Sequence, residues 1–265
     1  MDCLSIRLTV LGARGSMPVS GPEFAEFGGS TSCYLVEAGQ HTVILDAGSG
    51  MAHAPVSFSK PPVILLSHWH LDHLVGLGMY GRLHRPNEKT CLYAPALNDK
   101  DARRKLAGLY APPYWPLELD DYQSDLRVRA MPDELWCGEV CISTMQGKHP
   151  GGCLVYKLSF VGKSLVYATD FEHDSFSSAR LAGFCKEADL VLYDAQYVEA
   201  EYDTRTGFGH STADKGVELM RACGAKRLLL VHHDPKRTDY ELRKQEKALD
   251  TCNASFAREG EVIVL

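Results

Sequence analysis

Pro62-Val63-Ile64-Leu65-Leu66-Ser67-His68-Trp69-His70-Leu71-Asp72-His73 joins an apolar run directly to three histidines and an aspartate. Residues 62–66, rich in aliphatic and β-branched side chains, predict a strand. In extended chain, residues i and i+2 point the same way, so the imidazoles of His68 and His70 can reach one ion. Asp72 and His73 come where the pattern changes to a helix expected over residues 74–84, and the turn between would aim them at a second ion nearby. Neutral imidazoles and carboxylates suit Zn²⁺ or Mn²⁺, and iron is also accepted. Two such ions ~3.5–4 Å apart can lower the pKa of a shared water to about 7, so no Ser or Cys nucleophile is required. The sequence has no Gly-x-Ser-x-Gly elbow, and Gly162-Lys163-Ser164 lacks the upstream glycine of a P-loop.

Outward from this stretch, short apolar runs at residues 6–11, 34–37, 42–45, 63–66, 154–158, 165–168, 190–193 and 228–231 predict strands. Helical patterns fall between the later ones. The clearest covers residues 211–223, where Ser211 and Asp214 have capping-box spacing and Gly224 supplies the stop. A final helix is expected over residues 240–258. Residues 82–136 hold a charged helix candidate near 99–109, then the Pro- and aromatic-rich Ala111-Pro112-Pro113-Tyr114-Trp115-Pro116. This segment reads either as a lid over the site or as a packed surface excursion. Strand meanders followed by alternating strands and helices fit a layered α/β protein.

The His68-Trp69-His70-Leu71-Asp72-His73 motif resembles the hallmark of the metallo-β-lactamase superfamily, His-x-His-x-Asp-His after a strand. The resemblance implies an α/β four-layered αββα sandwich, one domain over residues 1–265. It also implies further ligands after later strands: a His, a bridging Asp and a last His. Candidates stand in that order at His149 in Gly147-Lys148-His149-Pro150, Asp170 in Ala168-Thr169-Asp170, and His232 in Val231-His232-His233. The pair His232-His233 offers two imidazoles, and family register favours His232. Carried over, the resemblance places one ion on His68, His70 and His149 and a second on Asp72, His73 and His232, with Asp170 bridging. Asp72 is counted among the catalytic residues as well as the ligands. The implied cofactors are two divalent ions, Zn²⁺ or Mn²⁺ with iron as an alternative. His41, His53 and His84 are expected on the surface or in packing.

Two further segments are similar to the tRNase Z and cyclic-phosphodiesterase branch. One is Leu11-Gly12-Ala13-Arg14-Gly15-Ser16 with Phe27-Gly28-Gly29-Ser30 and Leu45-Asp46-Ala47-Gly48, which taken alone are tight Gly-rich turns. The other is Gly209-His210-Ser211-Thr212, ahead of a helix, where the resemblance implies that His210 acts on the leaving group while Asp194 orients it. A departure is the spacing of His149 and Asp170, only 21 positions apart, which leaves no room for the long tRNA-gripping arm that tRNase Z carries there. The chain therefore looks closer to the compact phosphodiesterases.

Lys plus Arg total 28 against 34 Asp plus Glu, a formal charge of -6, so no general pull toward nucleic acid or an anionic membrane is expected. Nine cysteines without a C-x-x-C pair argue against a disulfide framework, and no apolar run approaches a membrane span. A cytoplasmic location is expected. The expected partner is a small or cyclic phosphodiester substrate, with no membrane and no tRNA, and a homodimer is allowed. The rings of Tyr110, Tyr114 and Trp115 are candidate walls for a base. The competing enzyme is a carboxyl-ester, thioester or lactone hydrolase, which has no need of the His210 and Asp194 pair. A metal-bound sensor without turnover is the non-enzymatic alternative.

Overall fold

Strands buried on both faces read as continuous apolar runs rather than as alternating ones, and that is how the central strands of this chain are used. A computed structural model describes residues 4–265, which build two seven-stranded sheets. The first contains β1 (Ile6–Gly12), β2 (Cys33–Ala38), β3 (His41–Leu45), β4 (Val63–Leu65), β5 (Lys89–Ala94) and β6 (Asp125–Ala130). The second contains β7 (Glu134–Cys137), β8 (Val140–Gly147), β9 (Cys153–Phe160), β10 (Lys163–Ala168), β11 (Leu190–Asp194), β12 (Leu228–Val231) and β13 (Ala254–Phe256). The last strand, β14 (Val262–Val264), returns to the first sheet beside β1. Each sheet is antiparallel at one end and parallel at the other: β3 to β6 run parallel in the first, β10 to β13 in the second.

Between the sheets lies a core in which Val43, Leu45, Leu165, Tyr167, Leu190, Leu192, Leu229 and Val231 meet. The residues between them face outward. Ile44 and Ile64 pack under α1 (Asp99–Leu109), while Val166, Val191, Leu228 and Leu230 pack under α2 (Ser175–Phe184), α4 (Ala213–Cys223) and α5 (Asp239–Ala248), with the short α3 (Glu199–Tyr202) beyond. The result is the four-layered αββα sandwich. No helix among the described residues is long and apolar enough to cross a membrane.

All eight expected strands are present, and the helix at 99–109 is α1. Three helix expectations need correction. Residues 74–84 form no helix; the chain makes short 3₁₀ turns at Leu71–His73 and Leu77–Met79. Gly76, Gly78 and Gly81 each weaken a helix by about 1 kcal/mol relative to Ala, and Gly76 lies against the Gly48 carbonyl where no Cβ fits. The helix expected from Ser211 begins at Ala213, capped by the Thr212 hydroxyl accepting from Lys215 N at 3.2 Å. The Ser211 hydroxyl bonds that of Tyr193 instead, at 2.8 Å, while Gly224 ends the helix in left-handed conformation as expected. The final helix stops at Ala248, and β13 pairs with β12 in place of its last turns.

The segment 82–136 is a packed part of the layers and not a lid, since it holds β5, α1, β6 and the start of β7. Tyr110 donates to the Leu74 carbonyl, and Trp115 Nε1 donates to the Tyr122 hydroxyl at 2.9 Å. Both rings join the outer core of the first sheet, so of the three proposed wall residues only Tyr114 is exposed.

Candidate metal centre

The chemistry-bearing residues stand where strands end. Asp46 follows β3, His68 to His73 follow β4, His149 follows β8, Asp170 follows β10, Asp194 closes β11 and His232 follows β12. Because β8 is antiparallel to β9 and β9 to β10, β8 points the same way as β10, and its carboxyl end opens at the same edge. Open sheets place ligands at the carboxyl ends of strands for this reason. Three of these residues turn the chain sharply with left-handed backbone: Asp46 at φ 59, Asp170 at φ 52 and His232 at φ 62. A non-glycine residue held there costs about 1–3 kcal/mol and persists only where its surroundings enforce it. At Asp170 the backbone N–H is held by Asp194 Oδ2 at 3.0 Å.

These turns bring together the seven residues that the resemblance implies as ligands. His149 Nε2 lies 3.1 Å from His70 Nδ1 and 3.7 Å from Asp170 Oδ1, while His68 Nε2 lies 3.7 Å from the same oxygen. On the other side, His73 Nε2 is 3.2 Å from Asp72 Oδ2, 3.2 Å from Asp170 Oδ2 and 3.3 Å from His232 Nε2. His232 Nε2 is in turn 3.4 Å from Asp170 Oδ1. The donor atoms of His68, His70 and His149 form one compact group, and those of Asp72, His73 and His232 another. Asp170 touches both, and only His70 is exposed to solvent among these seven.

The donor set fits divalent cations. His68 Nε2 is buried and has no hydrogen-bond partner, and two pairs of ring nitrogens face each other with carboxylate oxygens around them. Unpaired buried polar atoms are costly, and a cation accepting all these lone pairs removes the cost. Nitrogen and oxygen donors of this kind suit Zn²⁺, Mn²⁺ or iron.

Behind the cluster, Asp46 is fully buried and takes four hydrogen bonds. His73 Nδ1 donates at 2.7 Å, Ser67 N at 2.7 Å, Ser67 Oγ at 2.8 Å and Tyr167 Oη at 2.6 Å. The bond to His73 Nδ1 leaves Nε2 free to face the site, and such outer partners typically govern affinity. Asp46→Ala is expected to weaken metal binding about 10–100-fold, as measured by competition with a chromogenic chelator. An unchanged affinity would show that His73 needs no such support.

Electrostatics separate the histidines. Burial drives His68 well below the ordinary imidazole range and also lowers His149. Burial opposes charge on His73 and His232 too, but Asp170, Asp72 and the neighbouring carboxylates outweigh it, raising His73 strongly and pushing His232 up to about 9. Against the cost of burial, the same histidines hold Asp170 and Asp72 well below the usual carboxylate range. A proton on His232 below pH about 9 competes with a cation for the ring. Metal binding at pH 7 should therefore release protons, and affinity should rise with pH until that proton is gone. Calorimetry in buffers of differing ionisation heat measures the release; binding with no net proton loss at pH 7 would contradict it.

His210 stands beside the cluster, its ring stacked 4.9 Å from that of His232. Its Nδ1 donates to Asp194 Oδ2 at 2.9 Å, and Asp194 Oδ1 accepts from Ser211 N and Gln196 N. The pairing of His232 and His233 resolves clearly, because His233 Nε2 donates to the Ala257 carbonyl at 2.8 Å and packs edge-on against Phe27. Burial, with Arg14 nearby, pushes His233 down to about 3. His41, His53 and His84 lie elsewhere, with Lys60, Glu259 and the Gly78 carbonyl. Sequence reasoning gave no role to Asp46, Ser67 or Ser16, and the Ser16 backbone N–H donates to Asp72 Oδ2 at 2.8 Å. A signal for Asp46 existed: Leu45-Asp46 repeats the strand-then-Asp ending of Thr169-Asp170 and Tyr193-Asp194.

The family model for the β-lactamase superfamily domain matches residues 41–233. The chain is 24% identical over 267 residues to the probable metallo-hydrolase YhfI of Bacillus subtilis, across 96% of this chain and 98% of that protein. The crystal structure of YhfI superposes with a TM-score of 0.78 at 21% identity, over 99% of this chain and 100% of that one. Ribonuclease Z of Exiguobacterium sibiricum is 23% identical over 262 residues, 81% of this chain and 86% of that protein. A diphosphatase of the PhnP family superposes with a TM-score of 0.69 at 18% identity, over 97% of each chain.

Proposed function

Because the chain belongs to the β-lactamase superfamily and is a metallo-hydrolase of that fold, we propose that it cleaves small or cyclic phosphodiesters at a two-metal centre. His68, His70 and His149 would hold one divalent ion, Asp72, His73 and His232 the other, with Asp170 between them. The ions would supply Lewis acidity toward the phosphoryl oxygens and a water acidic enough to attack near neutral pH.

The observation that carries the phosphodiester reading is the His210–Asp194 pair beside the donor cluster. Phosphodiester cleavage expels an alkoxide, which needs a proton, whereas a thioester expels a thiolate that leaves readily without one. With Nδ1–H committed to Asp194, Nε2 is the nitrogen left to carry that proton. Asp194 is itself fixed by three backbone N–H groups, those of Asp170, Gln196 and Ser211, so it sets the tautomer and aim of the ring.

Size follows from the chain between His149 and Asp170. It is the β9–β10 hairpin, closed by the two-residue turn Val161-Gly162 with both residues at positive φ, and it extends no arm. With a formal charge of -6, binding energy would come from the metal centre and its immediate surroundings rather than from many phosphate contacts.

A turnover comparison of bis-p-nitrophenyl phosphate, cyclic nucleotides, precursor tRNA, thioesters and lactones tests this. The small diesters should be hydrolysed with KM nearly flat against salt, and tRNA poorly if at all. Efficient tRNA cleavage with a steep salt slope would overturn the small-substrate reading. Thioester or lactone turnover exceeding that of every diester would make the protein an acyl hydrolase, and metal binding without any turnover would make it a sensor.

A further inference from the structure

Glu172 lies two residues past Asp170 and is almost fully buried, yet it touches none of the clustered donors. Its carboxylate spans two other segments. Oε2 accepts from Gly207 N at 2.6 Å and from Gly209 N at 3.0 Å, while Oε1 meets Lys148 Nζ at 2.8 Å. Its own backbone N–H donates to the Lys148 carbonyl at 2.8 Å. Gly207 and Gly209 both have positive φ and lead directly into His210, whereas Lys148 directly precedes His149.

The two segments are also in direct contact. His149 Nδ1 donates to the Gly209 carbonyl at 2.9 Å, and a Cβ on Gly209 would collide with the His149 ring. The Gly209 peptide is thus held from both sides: its N–H by Glu172, its carbonyl by His149. That bond fixes the Nδ1–H tautomer of His149 and leaves Nε2 for the cluster. Residues 203–208 are exposed, and the Glu172 carboxylate ties the end of this stretch to the chain just after β10.

We infer that Glu172 is a positioning residue: it braces the Gly207–Gly209 peptide so that His210 and His149 keep a fixed separation and aim. The brace is made by reach and hydrogen bonding to two backbone amides, with the Lys148 ion pair as an anchor. It rests on the phosphodiesterase reading only for the role given to His210.

Two conservative variants separate reach from charge. Glu172→Asp keeps the charge toward Lys148 but withdraws the carboxylate by one methylene. Glu172→Gln loses the charge but keeps an oxygen within reach of both amides. Amide hydrogen exchange in the metal-free protein reads the brace without any activity. Gly207 and Gly209 should be protected in the wild type and in Glu172→Gln, and should exchange freely in Glu172→Asp. In the metal-loaded protein, Glu172→Asp should lower cyclic-nucleotide turnover about 10–100-fold, and bis-p-nitrophenyl phosphate turnover much less, because p-nitrophenolate needs little protonation. Glu172→Gln should retain most of both. Unchanged protection in Glu172→Asp, equal losses on the two substrates, or a larger defect in Glu172→Gln than in Glu172→Asp would overturn the inference. If the wild type hydrolyses neither diester, the phosphodiesterase reading fails and the exchange data alone decide whether the brace exists.

Discussion

Asp170→Ala should cost the protein more metal than the loss of any single terminal ligand, and should take nearly all turnover with it. Asp170 places a carboxylate oxygen near donors of both groups, with Oδ1 3.7 Å from His68 and His149, 3.4 Å from His232, and Oδ2 3.2 Å from His73. It is also completely buried, so its removal leaves an unfilled space lined with imidazoles that repel one another whenever they carry protons. His149→Ala, by contrast, removes a donor from one group only. If metal centres contribute several kcal/mol to the transition state, the loss in kcat/KM for Asp170→Ala should be on the order of 10³-fold or more. Elemental analysis of the two variants after dialysis gives the comparison. Two ions per chain and normal turnover in Asp170→Ala would refute the placement of Asp170 between the ions.

The second large effect concerns the proton. His210→Ala should leave metal content unchanged, since the ring lies beside the cluster and its Nδ1 is already taken by Asp194. Hydrolysis of a diester with a ribose leaving group should fall by about 10²–10⁴-fold, the usual worth of a positioned general acid. With p-nitrophenolate leaving, the loss should shrink. Equal losses on both substrates would mean that His210 binds the substrate and does not protonate it. Asp194→Asn should repeat the pattern, weakened or strengthened by how well the amide holds the ring.

How much of this was legible in the sequence depends on where the information sits. The strands β3, β4, β10, β11 and β12 were readable because both of their faces are buried, which demands unbroken apolar runs. The strands β6 and β8 were not, because one face of each meets solvent: in Asp125-Leu126-Arg127-Val128-Arg129 charges alternate with the buried Leu126 and Val128. The clustered histidines and aspartates were readable for a related reason. Each follows a strand end, so a histidine or aspartate just after an apolar run marks a site at the sheet edge. The helix expected over 74–84 failed because its apolar spacing was real but its glycines were needed for close approach to the Ala47–Gly48 turn, where Gly76 N bonds the Ala47 carbonyl at 2.9 Å. Glu172 had no local signal at all. Its partners lie 35 and 37 positions away, and nothing in Phe171-Glu172-His173 distinguishes it from a surface acid. The aromatic segment at 110–115 shows the opposite failure, since Tyr110 and Trp115 resemble stacking rings in sequence but pack into the outer core of the first sheet, Tyr110 buried and Trp115 half-buried.

Stepwise reconstitution tests the central claim most directly. Metal-free protein is titrated with Zn²⁺ or Mn²⁺ while bis-p-nitrophenyl phosphate hydrolysis and bound metal are measured on the same samples. Turnover should rise steeply only as the second equivalent binds, and should vanish on chelation. Diester hydrolysis that is complete after one equivalent, or that survives full removal of metal, would contradict a two-metal phosphodiesterase.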